Sequence, residues 1–311
     1  MNIFSQFLLG ATLGGLLFSK KIGGKALLFG GLCALIPAFD VVLSLFFEKT
    51  TAVFVSGGIT HSIVFCVLLA PVLGWVIHKF VDDECSVVQC SFLAFCCMLS
   101  HCVTDALSIQ GVGLMEPFTH RRFAVAVISN VDVFCLVILT LSLIGSLCVR
   151  EFQHKAMISS FGVFLFAIYV AFVFLNKLSV QAQFEQKLEE QDLRYSRVEV
   201  FPVSGSMFLW NCVAQDRDGF WVCYQSNLSK NDFDLNLILR NDYYLFELED
   251  KVEVNRLEAY TRYFYSVEPV NEHSVLFHDL RYGRNGLRAD SPFAKTFRID
   301  FENNLEISEA N

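Results

Sequence analysis

Asp40, His61, His101 and Asp105 are metal-ligand residue types set inside stretches apolar enough to cross a bilayer. A central aspartate costs about 2.5–3.5 kcal/mol on insertion scales, so such groups need partners. One bound cation would satisfy imidazoles and carboxylates together, and a divalent ion held this way activates water for hydrolysis. His101 and Asp105 are four residues apart, which on a helix puts them on one face in adjacent turns. Thr60 and Ser62 flank His61 with hydroxyls suited to orienting it. The competing reading of His101 with Asp105 is a hydrogen-bonded pair that only fastens helices in lipid.

The elements that must position these groups are six apolar segments, near 4–19, 26–47, 52–78, 87–109, 123–149 and 157–176. A crossing helix needs about 20 residues, so the expected fold is a polytopic α-helical membrane domain of five or six spans. The first segment carries Gly10, Gly14 and Gly15, small residues suited to close helix packing. Its lysines follow the apolar run, and no small-x-small cleavage site precedes a polar start, so it is expected to be a retained helix. Segments alternate in direction. Gln6, Asp40, His61, His101, Asp105 and Asp132 then all fall toward one membrane face, as a shared polar site requires. Asp132 reads equally as a ligand or a structural contact, and Gln6 as a packing hydrogen bond or a residue lining the site. His120, Arg121 and Arg122 follow the fourth segment, as interfacial anchors or as a weak substrate site for phosphate.

Composition divides the chain. Residues 1–180 hold 10 Lys+Arg against 9 Asp+Glu, whereas 181–311 hold 14 against 23, a net of −9. The expected domains are a helical transmembrane part over 1–178, a charged helical extension over 179–197, and a β-rich soluble domain over 198–311. No basic face exists to neutralise phosphates, so nucleic acid is not an expected partner. Nine of the 11 cysteines lie in the apolar half, where Cys behaves as a small hydrophobe. Past residue 198, runs such as VEVF, FWVCYQS and FRIDF alternate between turn residues. Asp218-Gly219 marks a hairpin in which Cys212 and Cys223 can face each other; a bridge there requires a compartment outside the cytosol. Trp210 and Trp221 belong to the expected soluble core, and His278-Asp279 reads as a strand-end polar contact. No Gly-rich phosphate loop or nucleophile elbow stands out.

Several stretches carry a family resemblance: SQFLLGATLGGLLFSKKIGGKALLFGG, IPAFD (36–40), ITHSIVF (59–65), LSHCVTDALSIQGVGLMEPFTHRR (99–122) and ISNVD (128–132). They resemble the YdjM-like family of predicted bacterial membrane-bound metal-dependent hydrolases. FPVSGSMFLWNCV, RYFYSV and HDLRYG extend the resemblance into the soluble half. In ligand pattern that family is similar to zinc-dependent phospholipases C and single-strand nucleases. The resemblance implies Asp40, His61, His101 and Asp105 as ligands, with Asp132 as a further one. Two departures stand out: Ala38 replaces the first carboxylate of a Pro-Asp-x-Asp pattern, and Ser56-Gly57-Gly58 replace His-Arg-Gly.

The expected function is a membrane-bound hydrolase in which a metal, zinc foremost, activates water against a lipid-like or phosphoester substrate near the interface. The alternative is a catalytically weak or inactive anchor or sensor whose soluble domain binds a partner. A transporter fits less well, because the polar cluster lies toward one face instead of the midplane. Lys20, Lys21, Lys25, Lys79, Arg150 and Lys155 outnumber Lys49, Arg121, Arg122 and Lys177 on the opposite face. That margin orients the site and the soluble domain away from the cytoplasm, in a multi-pass protein of the bacterial inner membrane.

Overall fold

In the computed structural model, residues 2–40, 57–81, 84–228, 234–248, 252–301 and 305–310 are described. Lys49, Ser56, the end of the expected second segment and the start of the third lie outside them. The chain divides into a helical N-terminal unit reaching Val173 and a unit spanning Phe174–Asn311.

Helix α1 (Ile3–Ile22) starts where the Asn2 side chain accepts the Ser5 N–H, which places Gln6 in the first turn. Gly23, at φ 56°, turns the chain into α2 (Gly24–Leu35). The two helices pack through glycines. A Cβ on Gly10 would lie 2.3 Å from the Ala34 Cβ, and one on Gly14 would lie 2.3 Å from the Ala26 carbonyl oxygen. Such approach is the means by which helices associate in lipid, where apolar burial gives no driving force.

Helix α2 stops at Leu35, although the apolar run continues. Pro37 has no N–H to donate and opens a 3-10 turn (Pro37–Phe39) that delivers Asp40. A second 3-10 turn (Ile59–His61) leads into α3 (Ile63–Val81). Helix α4 (Val87–Ala106) begins with a capping box made by Ser86 and Gln89. That start fixes the phase that carries His101 and Asp105 to its last turns.

Residues 107–132 are not helical, so the expected fifth segment begins ten residues late, at α5 (Val133–Cys148). Its first apolar residues instead form isolated bridges, Val112 with Phe123 and Ser108 with Ile128. Gly111, at φ 67°, makes the close pass there; a side chain on it would strike Ala124 and the Phe123 carbonyl. Helix α6 (Phe152–Glu190) runs unbroken for 39 residues. At 1.5 Å per residue it is about 58 Å long, nearly twice a hydrocarbon core. It therefore merges the expected last span with most of the charged extension.

Among the described residues four helices, α1, α3, α4 and α6, are long and apolar enough to cross a membrane, while α2 and α5 are shorter. Their unpacked faces carry Leu68, Trp75, Phe80, Phe92, Leu141 and Phe161, all exposed. Apolar faces of that extent on a helical unit belong against lipid. Inside, Phe18, Ala26, Cys66, Leu93, Cys97, Met98 and Cys102 form a continuous core.

Among its described residues the C-terminal unit holds two antiparallel four-stranded meanders. One contains β1 (Arg197–Pro202), β2 (Leu209–Gln215), β3 (Gly219–Ser226) and β4 (Asn236–Leu239). After α7 (Val252–Tyr260), the other contains β5 (Tyr265–Asn271), β6 (Ser274–Asp279), β7 (Thr296–Asp300) and β8 (Glu306–Glu309). The Asp218-Gly219 hairpin forms as expected, closed by the Asp216 N–H donating to the Gly219 carbonyl at 2.9 Å. Trp210 is fully enclosed, whereas Trp221 is half-buried and donates to Asp216. Asp279 is structural: it accepts Nε and Nη2 of Arg281 at 2.9 and 2.7 Å, with both side chains at 0% exposure.

Candidate metal centre

Three acceptor atoms converge where α4 ends and α3 begins. His61 Nε2 and His101 Nε2 are 3.1 Å apart. Asp105 Oδ2 lies 3.3 Å from the first and 3.1 Å from the second. Both histidines are buried, and the Asp105 side chain is 16% exposed. Among the described residues, these three form the group whose ligand atoms can share one ion.

The surrounding contacts decide which ring nitrogens carry protons. His101 Nδ1 is 2.6 Å from the Ala34 carbonyl oxygen, which only accepts. Nδ1 therefore carries a proton, and in the neutral ring Nε2 is the nitrogen that presents its lone pair to the triad. His61 Nδ1 faces the Asp40 carboxylate at 3.4 Å and the Thr60 hydroxyl at 3.1 Å. Asp40 is itself held by the Gly57 N–H at 2.6 Å. A carboxylate behind a histidine fixes the same tautomer and orients the ring. Two imidazole nitrogens and a carboxylate oxygen thus face each other at the cavity wall, an arrangement that calls for a positive charge among them.

The distances suit a cation. Zinc with about 2.0–2.1 Å bonds in tetrahedral geometry sets its ligand atoms about 3.3 Å apart. The observed edges are 3.1, 3.1 and 3.3 Å. A cavity of about 260 Å³ opens beside the triad, lined by Gln6, Asp40, Gly57, Gln110 and Asn130 among others. Three protein ligands with an open side is the pattern of a catalytic metal site, whereas a structural site is closed.

Other expected residues take defined places. Gln6 Nε2 donates to Asp105 Oδ1 at 2.7 Å, and Gln6 Oε1 accepts from Thr104 at 3.0 Å. This leaves Oδ2 facing the histidines. Asp40 lines the cavity but meets His61 on the ring nitrogen opposite the triad. Asp132 is not brought into the triad. It caps α5 through the Cys135 N–H at 3.0 Å and accepts the Tyr169 hydroxyl at 2.8 Å. His120 is open to solvent with Glu116 at 3.8 Å, and Arg121 is exposed. Arg122 is half-buried, with Nη2 3.6 Å from where a Gly57 Cβ would stand, behind the cavity wall.

The Ala34 carbonyl escaped sequence reasoning, because a backbone oxygen has no residue signature. The small-residue rows of α1 and α2 were the available signal: they bring Ala34 close enough to matter. Tyr169 was likewise unforeseen, one aromatic among many on α6.

None of the curated proteins and none of the solved structures compared matches this chain. A family model described as YdjM inner membrane protein matches residues 1–180, which contain the whole triad and leave the two meanders outside the match. The helical unit with its His–His–Asp triad and lipid-suited faces is thus a membrane protein's, and the chain belongs to the YdjM inner membrane protein family.

Proposed function

We propose that this chain is a metal-dependent hydrolase embedded in the bacterial inner membrane, crossing it several times. The ion is zinc, held by His61 Nε2, His101 Nε2 and Asp105 Oδ2. The observation that supports this most is the inward-facing triangle of three acceptors described above. When bound, zinc lowers the pKa of a coordinated water toward ~7 and polarises the scissile group.

The protein's own groups do the rest. Asp40 and the Ala34 carbonyl hold the two rings in register, and Gln6 holds the second oxygen of Asp105. Arg122 lies behind Gly57 and the cavity wall, from where its charge attracts an anionic group. His120 and Arg121 are exposed on the same loop and meet substrate at the interface. A site between the first turn of α1 and the last turns of α4 is open at helix ends, where a lipid-like or phosphoester substrate presents its head group. The excess of lysine and arginine on the opposite face supports an orientation with site and soluble domain outside the cytoplasm.

The test is hydrolysis of a chromogenic phosphodiester and of phosphatidylglycerol in mixed micelles. Wild type should release product with zinc, and His101→Ala should release none. Arg122→Gln should raise KM more than it lowers kcat. Full activity in His101→Ala contradicts the assignment.

A further inference from the structure

Cys212 and Cys223 stand apart from the other nine cysteines, which lie in the apolar half. In the β2–β3 ladder they are directly opposed, with Val213 against Val222 beside them. Their side chains are in hydrogen-bonding contact, and both are buried. Opposed residues of an antiparallel pair have Cα atoms about 4.5–5.5 Å apart. A disulfide needs about 4.4–6.8 Å. The Cα separation of an opposed pair therefore falls within the range a bridge spans.

We propose that Cys212 and Cys223 are joined as a disulfide in the native protein, which fixes the C-terminal unit in an oxidising compartment. The thiolate of one cysteine attacks a disulfide of an envelope thiol oxidase, releasing one thiol of that oxidase. The second thiolate then attacks the mixed bond and releases the other. Two thiols lose two electrons and two protons, and the oxidant's disulfide becomes a dithiol. The exchange occurs before the sheet closes. Once folded, Cys212 is fully enclosed and burial holds its thiol well above the usual range, so the thiolate that would attack is not formed. The bridge closes a loop around the Asp216–Gly219 turn and joins no new elements. Its effect is to limit the unfolded chain, worth about 100-fold in the folded-to-unfolded ratio for a loop of this length.

The sequence supplies its own assay. Trypsin cuts after Arg217, between the two cysteines. Peptide 198–217 then holds Cys212 alone, and 218–230 holds Cys223 alone. Cells expressing the full chain are quenched in acid, and thiols are blocked with N-ethylmaleimide in denaturant before unreduced digestion. The expected product is one species of the two peptides joined, split by reductant. In Cys212→Ser, peptide 218–230 should appear singly alkylated. Two alkylated peptides from wild type overturn the proposal, as does either cysteine linked to any other. The triad is not read by this assay, so a negative result leaves the metal assignment standing.

Discussion

Asp40→Asn should weaken zinc binding about 10- to 100-fold without abolishing it. Asp40 Oδ2 has two partners, the Gly57 N–H at 2.6 Å and His61 Nδ1 at 3.4 Å, and the residue is 2% exposed. Asparagine keeps an oxygen for Gly57 but loses the charge behind the imidazole. A charge-assisted hydrogen bond is worth about 1.5–3 kcal/mol, and about 1.4 kcal/mol is tenfold in affinity. The same range is typical when a group behind a metal-bound histidine is removed. The assay is competition for zinc against a chromophoric chelator in detergent, with His101→Ala measured alongside. Affinity equal to wild type would mean that Asp40 does not act through His61. A loss as complete as that of His101→Ala would make Asp40 a direct ligand and refute the placement of His61 between it and the ion.

Gly10→Ala should destabilise the helical unit by about 1–3 kcal/mol, the usual range for overpacking, because its Cβ meets the Ala34 Cβ at 2.3 Å and the Gly30 carbonyl at 2.5 Å. Zinc retention should fall with the melting temperature, since the same shift pulls the Ala34 carbonyl from His101; an unchanged melt contradicts this packing. In the C-terminal unit, burial lowers the pKa of His278 against a smaller opposing effect of Glu268, with Arg284 lowering it further. Its ring lies between Thr296 and Glu268 and stacks on Phe293. The unfolded chain then binds the extra proton first, so stability is complete above about pH 6.5 and is lost as pH falls toward the lowered value. Denaturant midpoints read from Trp210 fluorescence should drop as pH falls below about 6.5 in wild type and less in His278→Gln; parallel curves would remove His278 from the account.

Much of the site was legible in the sequence because ligand residue types are conspicuous in apolar segments. Helical spacing paired His101 with Asp105, and alternating spans put Gln6, Asp40 and His61 at the same end; all five line one cavity. Composition failed where one apolar stretch serves two structures. Residues 123–131 are as apolar as a span, yet they form bridges, and the helix waits for Asp132 to cap it. That aspartate is drawn to the α5 N-terminus and Tyr169, which no spacing reveals. Pro37 was the available sign that α2 ends early. The tautomers of the two histidines depend on a backbone carbonyl and a carboxylate brought from other elements, and only the packed structure discloses them.

The most direct test is elemental analysis of the full chain purified in detergent, loaded with zinc and freed of excess, beside His61→Ala and His101→Ala and a His120→Ala control. About one ion per chain in wild type and in the control, with almost none in the two triad variants, is the expected result. Wild type that retains no stoichiometric metal, or triad variants that retain it in full, would mean that a shared proton joins His61, His101 and Asp105 and no ion does.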